Sequence, residues 1–389
     1  MSYLDKEYRQ RKAYFYKIID SKTLENELRK DETTIEKELR FEKRFAKLIG
    51  TKYSILFGSG NHALETGLAS LGLEKKDEVL VQAFTCKQVP KIINQKSTAK
   101  LVDIDENYNI DLKKAAKTCG KNTRALQAIY SYGKAINSKE LDAFCKKKNL
   151  LLIEDCAHSL GARNGKNAGS FGEFSIFSLR KNVPVGTGGV LCINNKALYE
   201  TCLDARNKFS RNSSVVKKII EMKLSFYKKY FSSIDFPYLL WSKLGYGGDA
   251  VNKERLDKFE ISLALASIEQ LPKIIEQTRK NALLLKKELG EDKFVFTRDD
   301  KKEFNVCTRV PIYFKEPNAS IEKIWFELQE EGFETGLFYT SDFKKTARAS
   351  KDKFSFSKRA SEHMVPVGVQ GLKKEQIIEL ATKIKSFSK

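Results

Sequence analysis

Apolar runs short enough to be buried strands alternate with amphipathic stretches over the first half of the chain. EVLVQAF (78–84), AKLVDID (99–105), RALQAIYS (124–131), LLLIED (150–155), EFSIFSL (173–179) and GGVLCIN (188–194) are the strand candidates. Between several of them, residues 61–71, 110–118 and 138–148 carry apolar positions at helical spacing. Strands that alternate with helices build βαβ units. The pattern predicts an α/β fold with a mostly parallel sheet. In such sheets ligands gather at the carboxyl ends of the strands, so the polar and glycine residues found there come first.

The alternation ends near residue 206. RNKFSRNSSVVKKIIEMKLSFYKKYF (206–231) is basic, aromatic-rich and helical in pattern. KFEISLALASIEQLPKIIEQTRKNALLLKKEL (258–289) reads as a long helical region in which Pro272 opens a second helix. After Gly290 come a strand (306–314), a helix (320–332) and a terminal helix from about Lys373. We expect a large domain over 1–250, with 206–231 as a basic helical insert, and a smaller α+β domain over 251–389. The sequence contains no internal repeat or low-complexity tract.

Composition narrows the picture. A chain of 389 residues with 41% hydrophobic residues can bury a large core and is not a disordered polymer. No uninterrupted apolar run reaches about 18 residues, so a membrane-spanning helix is not expected. The start, MSYLDKEYRQRK, lacks the apolar centre of a signal peptide. Seven cysteines (Cys86, Cys119, Cys145, Cys156, Cys192, Cys202, Cys307) lie at scattered spacings with no C-x-x-C pair. That predicts reduced thiols in a cytoplasmic protein. The balance of 71 Lys+Arg against 50 Asp+Glu gives +21, which leaves nucleic acid, a membrane surface and small anionic ligands as partners.

Three stretches carry candidate chemistry. In FGSGNHALETGLASLGL (57–73), Ser59-Gly60-Asn61-His62 opens an amphipathic helix. A helix start with small residues offers free N–H groups and a positive dipole end to a phosphate. An ordinary strand–turn–helix junction with Ser or Asn as N-cap explains it equally well. In LLLIEDCAHSLGA (150–162), Glu154 and Asp155 stand at a strand's carboxyl end, where a carboxylate can hold a cation. With only His62, His158 and His363 in the whole chain, a metal is not expected. The plainer alternatives are solvent or a helix dipole for Glu154, and a helix N-cap for Asp155. In FSIFSLRKNVPVGTGGVLCI (174–193), Ser178-x-x-Lys181 ends a strand and Gly186-Thr187-Gly188-Gly189 leads into the next. A lysine backed by apolar residues can lose its proton and become a nucleophilic amine, although most lysines are solvated surface. The order of these features matches what pyridoxal 5'-phosphate (PLP) requires. The cofactor needs a phosphate cradle, a carboxylate for its ring nitrogen and a lysine for its aldehyde.

On these residues the chain resembles the DegT/DnrJ/EryC1/StrS sugar aminotransferases, PLP enzymes of the aspartate-aminotransferase-like fold type I. The resemblance runs through 41–64, DEVLVQAFTC (77–86), LVDID (101–105), IEDCAHSLGA (153–162), SLRKNVPVGTGG (178–189), ALASIEQL (264–271) and 360–384. It implies a seven-stranded-type sheet flanked by helices, followed by the smaller C-terminal domain. It implies that Lys181 bonds the cofactor's aldehyde and later shuttles the substrate proton, and that Asp155 keeps the ring nitrogen protonated. Gly60, Asn61 and His62 match the family's phosphate-binding turn, with Ser178 adding a hydroxyl. His158 falls near the cofactor's phenolic oxygen, and Cys86 falls where many members place an aromatic on the ring face.

The departures are specific. Ile176 stands where most members have a serine, Thr187 replaces an acidic residue, and the 256–260 stretch, LDKFE, lacks the Asn that reaches a neighbouring subunit's phosphate. The basic insert has no counterpart. A His in place of Lys181 would have pointed to a dehydrase. With Lys present, the resemblance implies amino transfer from an amino-acid donor, L-glutamate, to an anionic, nucleotide-linked keto-sugar. Such an enzyme serves surface polysaccharide or aminosugar biosynthesis, in the cytoplasm and as a homodimer. Two other readings stand beside it. One is a PLP aminotransferase for a small phosphorylated ketone. The other is a basic membrane- or nucleic-acid-binding protein with a vestigial PLP fold. Membrane contact through 206–231 ranks below an inter-subunit or substrate-covering helix, and no nucleic-acid motif accompanies the charge.

Overall fold

Among the described residues nine strands occur before residue 200: β1 (Tyr53–Phe57), β2 (Glu78–Gln82), β3 (Thr98–Val102), β4 (Thr123–Ile129), β5 (Leu151–Asp155), the two-residue β6 (Arg163–Asn164) and β7 (Lys166–Asn167), β8 (Phe174–Ser178) and β9 (Gly189–Ile193). The computed structural model in which they are seen describes residues 20–183, 185, 187–211, 254–297, 300–336, 339, 343 and 353–388. Seven of these strands form one sheet in the order β1-β9-β8-β5-β4-β2-β3. Its pairs are parallel except at β9, which runs antiparallel to both β1 and β8. Residues 179–188 join β8 to β9, and so short a link cannot make the crossover of a dozen or more residues that a parallel pair requires. This reversal puts a tight connection, with Lys181 on it, at the carboxyl end of β8. The mostly parallel sheet is the expected one. β1, YSILF, was not among the strand candidates.

Side chains alternate across the sheet and feed two cores. Leu56, Phe177 and Val190 join Phe41, Phe45 and Ile49 of the helix Thr34–Ile49, and Leu263 and Leu265 of the helix Lys258–Glu269. Ile55, Phe57 and Ile176 point the other way, against Leu64 of the helix Gly60–Ala69 and Ile93 of the helix Gln88–Lys96. The helix Thr34–Ile49 starts on a capping box, in which Thr33 N–H donates to Glu36 and Glu36 N–H donates to Thr33 Oγ1. It stops at Gly50, whose φ of 89° belongs to the left-handed region.

A separate apolar core forms around β12 (Val310–Phe314) and β13 (Met364–Val367), which share an antiparallel sheet with β10 (Phe294–Val295). β11 (Glu303–Phe304) instead pairs with β6. The helices Ile321–Glu330 and Lys374–Lys385 pack on that core, as the pattern predicted. Leu271–Leu289 is the second helix opened by Pro272. Along it the chain passes from the first core, which includes Ile275, to the other, which includes Ala282. The expected domain boundary at 250/251 lies outside the described residues. Of the basic stretch 206–231, residues 206–211 are described, and Arg206 and Asn207 end the helix Lys196–Asn207. The remainder of the expected insert lies outside them. Among the described residues no helix is long and apolar enough to cross a membrane.

Two sets of polar contacts fix the C-terminal unit over the ends of the parallel strands. Asp103, just past β3, accepts hydrogen bonds from Phe356 N (3.1 Å), Ser357 N (2.9 Å) and Ser357 Oγ (2.6 Å) at the start of the helix Ser355–His363. Residues 303–308 are stitched to the turn after β4. Val306 N donates to Gly133 O (3.0 Å), Ala135 N to Asn305 Oδ1 (2.7 Å), and Lys134 pairs with Glu303. Elsewhere a buried ionic cluster gathers the chain around Glu38. Arg206 Nη1 (2.8 Å), Arg211 Nη2 (2.6 Å) and Arg255 all reach its carboxylate.

Candidate active site

The turn Gly58-Ser59-Gly60 joins β1 to the helix Gly60–Ala69, and backbone from three directions encloses it. Gly58 N donates to Glu254 O (3.0 Å), while Gly188 N (2.9 Å) and Thr187 Oγ1 (2.5 Å) both donate to Gly58 O. A Cβ on Gly189 would stand 2.3 Å from Gly60 N, so only glycine lets β9 approach this closely. Gly60 in turn lies against Ser178 at the end of β8, where an added Cβ would be 3.4 Å from the Ser178 Cβ. The first-turn amides of Gly60 and Asn61 have no carbonyl within their own helix to bond, and Gly60 lies beside Ser178.

His62 behaves differently from its neighbours in the motif. Its N–H donates to the N-cap oxygen Ser59 Oγ (3.3 Å), and its ring packs edge-on to Phe209 at 5.9 Å, in the core behind the turn. Asn61 is exposed.

Asp155 ends β5 and is almost wholly buried. Its Oδ1 accepts Ala157 N–H (3.1 Å) and its Oδ2 accepts Gln127 Nε2 (3.2 Å). Burial pushes its carboxyl above the usual range, against the opposing pull of the Lys181 charge and these two hydrogen bonds. Glu154, one residue earlier, points to the other face of β5, as strand alternation requires. It is buried there, which corrects the expectation of solvent or a helix dipole. It accepts N–H from Gly169 (2.8 Å), Phe171 (3.0 Å) and Gly172 (2.8 Å), and the Tyr130 hydroxyl (2.8 Å). That carboxylate organises a loop and is not part of the site.

Lys181 sits on the short helix Leu179–Asn182 after β8, half-buried. Burial pushes its amine down to about 8, with the Cys86 thiol and the Asp155 carboxylate pulling the other way. Arg180 and Arg309 add to the downward push. Cys86, beyond the end of β2, is therefore near enough to act on the amine electrostatically. The ring of His158 lies parallel to that of Tyr339 at 5.7 Å, and Tyr132 is 5.9 Å away. Thr308 Oγ1 donates to His158 O (2.8 Å), which ties this ring to the C-terminal unit. Tyr132 and Cys307 hold φ of 55° and 53°, a left-handed backbone rare for side-chain-bearing residues. Gly133 leaves no room between them, since its Cβ would be 2.9 Å from Cys307 N.

The structure thus gathers Asp155, Lys181, Cys86 and His158 in one cluster, and Gly60, Asn61 and Ser178 in an adjoining corner. It also supplies partners that the sequence pattern did not single out. Asn182 Nδ2 donates to Ala157 O and Ser178 O (both 2.8 Å), and its Oδ1 accepts Leu160 N–H (3.0 Å). One side chain thereby locks the Lys181 helix to the turn that carries His158. Gln127, Tyr132, Arg309 and Tyr339 complete the surroundings. Gln127 had a visible signal, a lone amide in an apolar strand. The others become neighbours only through the fold. LDKFE (256–260) forms a helix cap, with Asp257 and Glu260 bonding each other's main-chain N–H.

The profile of the DegT/DnrJ/EryC1/StrS aminotransferase family matches residues 20–385. The chain is similar to GDP-perosamine synthase from Vibrio cholerae, 32% identical over 174 residues, which are 43% of this chain and 47% of that protein. It thus spans about half the length of that relative. It is also similar to GDP-4-keto-6-deoxy-D-mannose 3-dehydratase from Yersinia pseudotuberculosis, 27% identical over 80% of this chain and 79% of that one. Among solved structures, the E. coli GDP-4-keto-6-deoxy-D-mannose-3-dehydratase with bound hydrated PLP superposes with a TM-score of 0.71. That match covers 95% of this chain and 96% of the other at 20% identity, a likeness of fold.

Proposed function

The chain belongs to the DegT/DnrJ/EryC1/StrS aminotransferase family, and from that premise we propose that it is a PLP-dependent aminotransferase acting on a keto-sugar. The observation that carries the reading is a buried Asp155 that acts electrostatically on Lys181, whose amine burial holds at about 8. The residues fit the cofactor. Gly189 packs so closely on the turn that a Cβ would meet Gly60 N at 2.3 Å, and beside that turn the start of the Gly60–Ala69 helix and the Ser178 hydroxyl would be offered to a phosphate. Asp155 offers a buried negative charge to a ring nitrogen. Bound there, PLP supplies an electron sink for the carbon that carries the amino group.

The chain's own groups do the rest. Lys181 holds or releases a proton near neutral pH, which suits an amine that must act as both base and acid. Asn182 fixes the short helix that aims Lys181, and Tyr339 stacks on His158. With lysine at 181 the chain departs from a dehydrase, where a histidine is expected.

The acceptor we propose is a nucleotide-linked keto-sugar, with L-glutamate as donor and aminosugar or surface polysaccharide synthesis as the setting. The perosamine synthase relative supports it. A homodimer is proposed on the apolar surface of Ile35 and Leu39, one helical turn apart and 62% and 57% exposed. The test is spectroscopic. Purified protein given PLP should show a visible absorbance band that Lys181→Ala abolishes. The amino form of the loaded enzyme should then regain that band with a nucleotide keto-sugar but not with small keto-phosphates. A wild type that stays colourless ends the reading.

A further inference from the structure

Gln127 interrupts the apolar run Ala125–Ile129 of β4. Its neighbours in β4 are Ala125, Leu126, Ala128 and Ile129, and it is 0% exposed. The β4–β5 register sets Gln127 opposite Ile153 and Ile129 opposite Asp155. Gln127 therefore stands diagonal to Asp155, a separation that a long side chain spans. Its Nε2 donates to Asp155 Oδ2 at 3.2 Å. Its Oε1 is buried and accepts no hydrogen bond among the described residues. An unpaired buried acceptor disfavours folding, and an apolar side chain would fill the same space without that penalty. The amide is a liability to packing and an asset only to the carboxylate.

We propose that Gln127 is a positioning residue for Asp155: its amide fixes the carboxylate's orientation and favours its ionised form, so that a full charge meets the cofactor's ring nitrogen. This rests on the assignment of Asp155 as that nitrogen's partner. A donor to the charged form of an acid lowers its pKa. Of the two carboxylate oxygens, Oδ1 is held by its own turn through Ala157 N–H, so Gln127 alone ties Oδ2 to a neighbouring strand. The other groups acting on Asp155 are Lys181 from the helix Leu179–Asn182, the Tyr339 hydroxyl from the C-terminal unit and the adjacent Cys156 thiol. Cys86, Arg180 and Arg309 act on Lys181, and Glu154 is turned to the opposite face. All of these remain when Gln127 is replaced, so its own contribution can be isolated.

Gln127→Met keeps length and volume but removes the donor and the unpaired acceptor. The apoenzyme should melt at or above the wild-type temperature. In the holoenzyme, the pH at which the cofactor's visible band changes should move by more than half a unit. PLP should dissociate about tenfold more readily, and kcat should fall with the donor's KM little changed. The acid limb of the kcat profile should move to higher pH, because the carboxyl has lost a group that favours its charge. Gln127→Glu, which sets a second carboxyl beside Asp155, should move that limb further the same way. A Gln127→Met enzyme with a wild-type band titration and pH profile overturns the proposal, as does failure of that variant to fold, since the amide is held not to serve packing. Asp155→Asn, measured in parallel, separates the two levels. If Asp155→Asn keeps normal turnover, the assignment of Asp155 falls. If it loses turnover while Gln127→Met matches wild type, only the positioning role falls.

Discussion

An amine titrating at about 8 has a kinetic signature in the apoenzyme. At pH 7 about one Lys181 in eleven is neutral, whereas an ordinary lysine, titrating near 10.5, has about one in three thousand. Burial therefore raises the reactive fraction about 300-fold. Only the neutral amine attacks an aldehyde, so the rate of PLP uptake should rise with pH and level off once the amine is deprotonated. The assay is stopped-flow mixing of apoenzyme with excess PLP, following the visible band from pH 6 to 10. The midpoint is expected near 8. Asp155→Asn removes an anion that holds the proton on Lys181, so its midpoint should move lower, and uptake at pH 7 should be faster even though turnover is lost. Linkage gives a second reading of the same group. Its folded pKa lies below the unfolded one, so between about 8 and 10.5 the unfolded chain binds more protons, and this group's contribution to apoenzyme stability grows as pH rises through that window. A wild-type midpoint close to 10.5, or an upward shift in Asp155→Asn, would refute the reasoning.

Gly189→Ala should weaken PLP binding at least tenfold in equilibrium titration, because the new Cβ would meet Gly60 N at 2.3 Å and backbone atoms cannot rotate away; unchanged affinity would show that the turn is not the phosphate site. Glu38→Gln should lower the stability of the apoenzyme to urea by about 3–5 kcal/mol, since it strips Arg206, Arg211 and Arg255 of a buried shared charge, and a loss under 1 kcal/mol would refute that account.

The chemistry proved easier to read in the sequence than the geometry. Asp155 ends a buried strand and Lys181 follows the end of another by three residues, and strand ends can be found from apolar runs alone. Gly188 and Gly189 read as a turn, but only the fold shows that their lack of side chains lets β9 touch the Gly60 helix. At His62 the motif assigned a position but said nothing of where the side chain packs. The amide of that residue serves the N-cap, and the ring turns inward to Phe209. Asn182 was adjacent to the lysine throughout, yet its three partners lie at 157, 160 and 178, and a contact with chain neighbours so dispersed leaves no periodic trace. Arg309 and Tyr339 arrive from the C-terminal unit and could not be placed beside Lys181 before the two units were docked.

Arg211 and Arg255 grip the same carboxylate, and Arg255 N donates to Ser210 O at 2.9 Å. Whatever course residues 212–253 take, the chain departs and returns at a single point. Such a junction works as a port. A segment between touching ends can be exchanged, shortened or enlarged at little thermodynamic expense, about 0.6 kcal/mol per doubling of length. The port is one hydrogen bond from the turn that opens the Gly60–Ala69 helix, through Glu254 O and Gly58 N (3.0 Å). New sequence can therefore be tried out there in evolution while the residues around Lys181 keep their places.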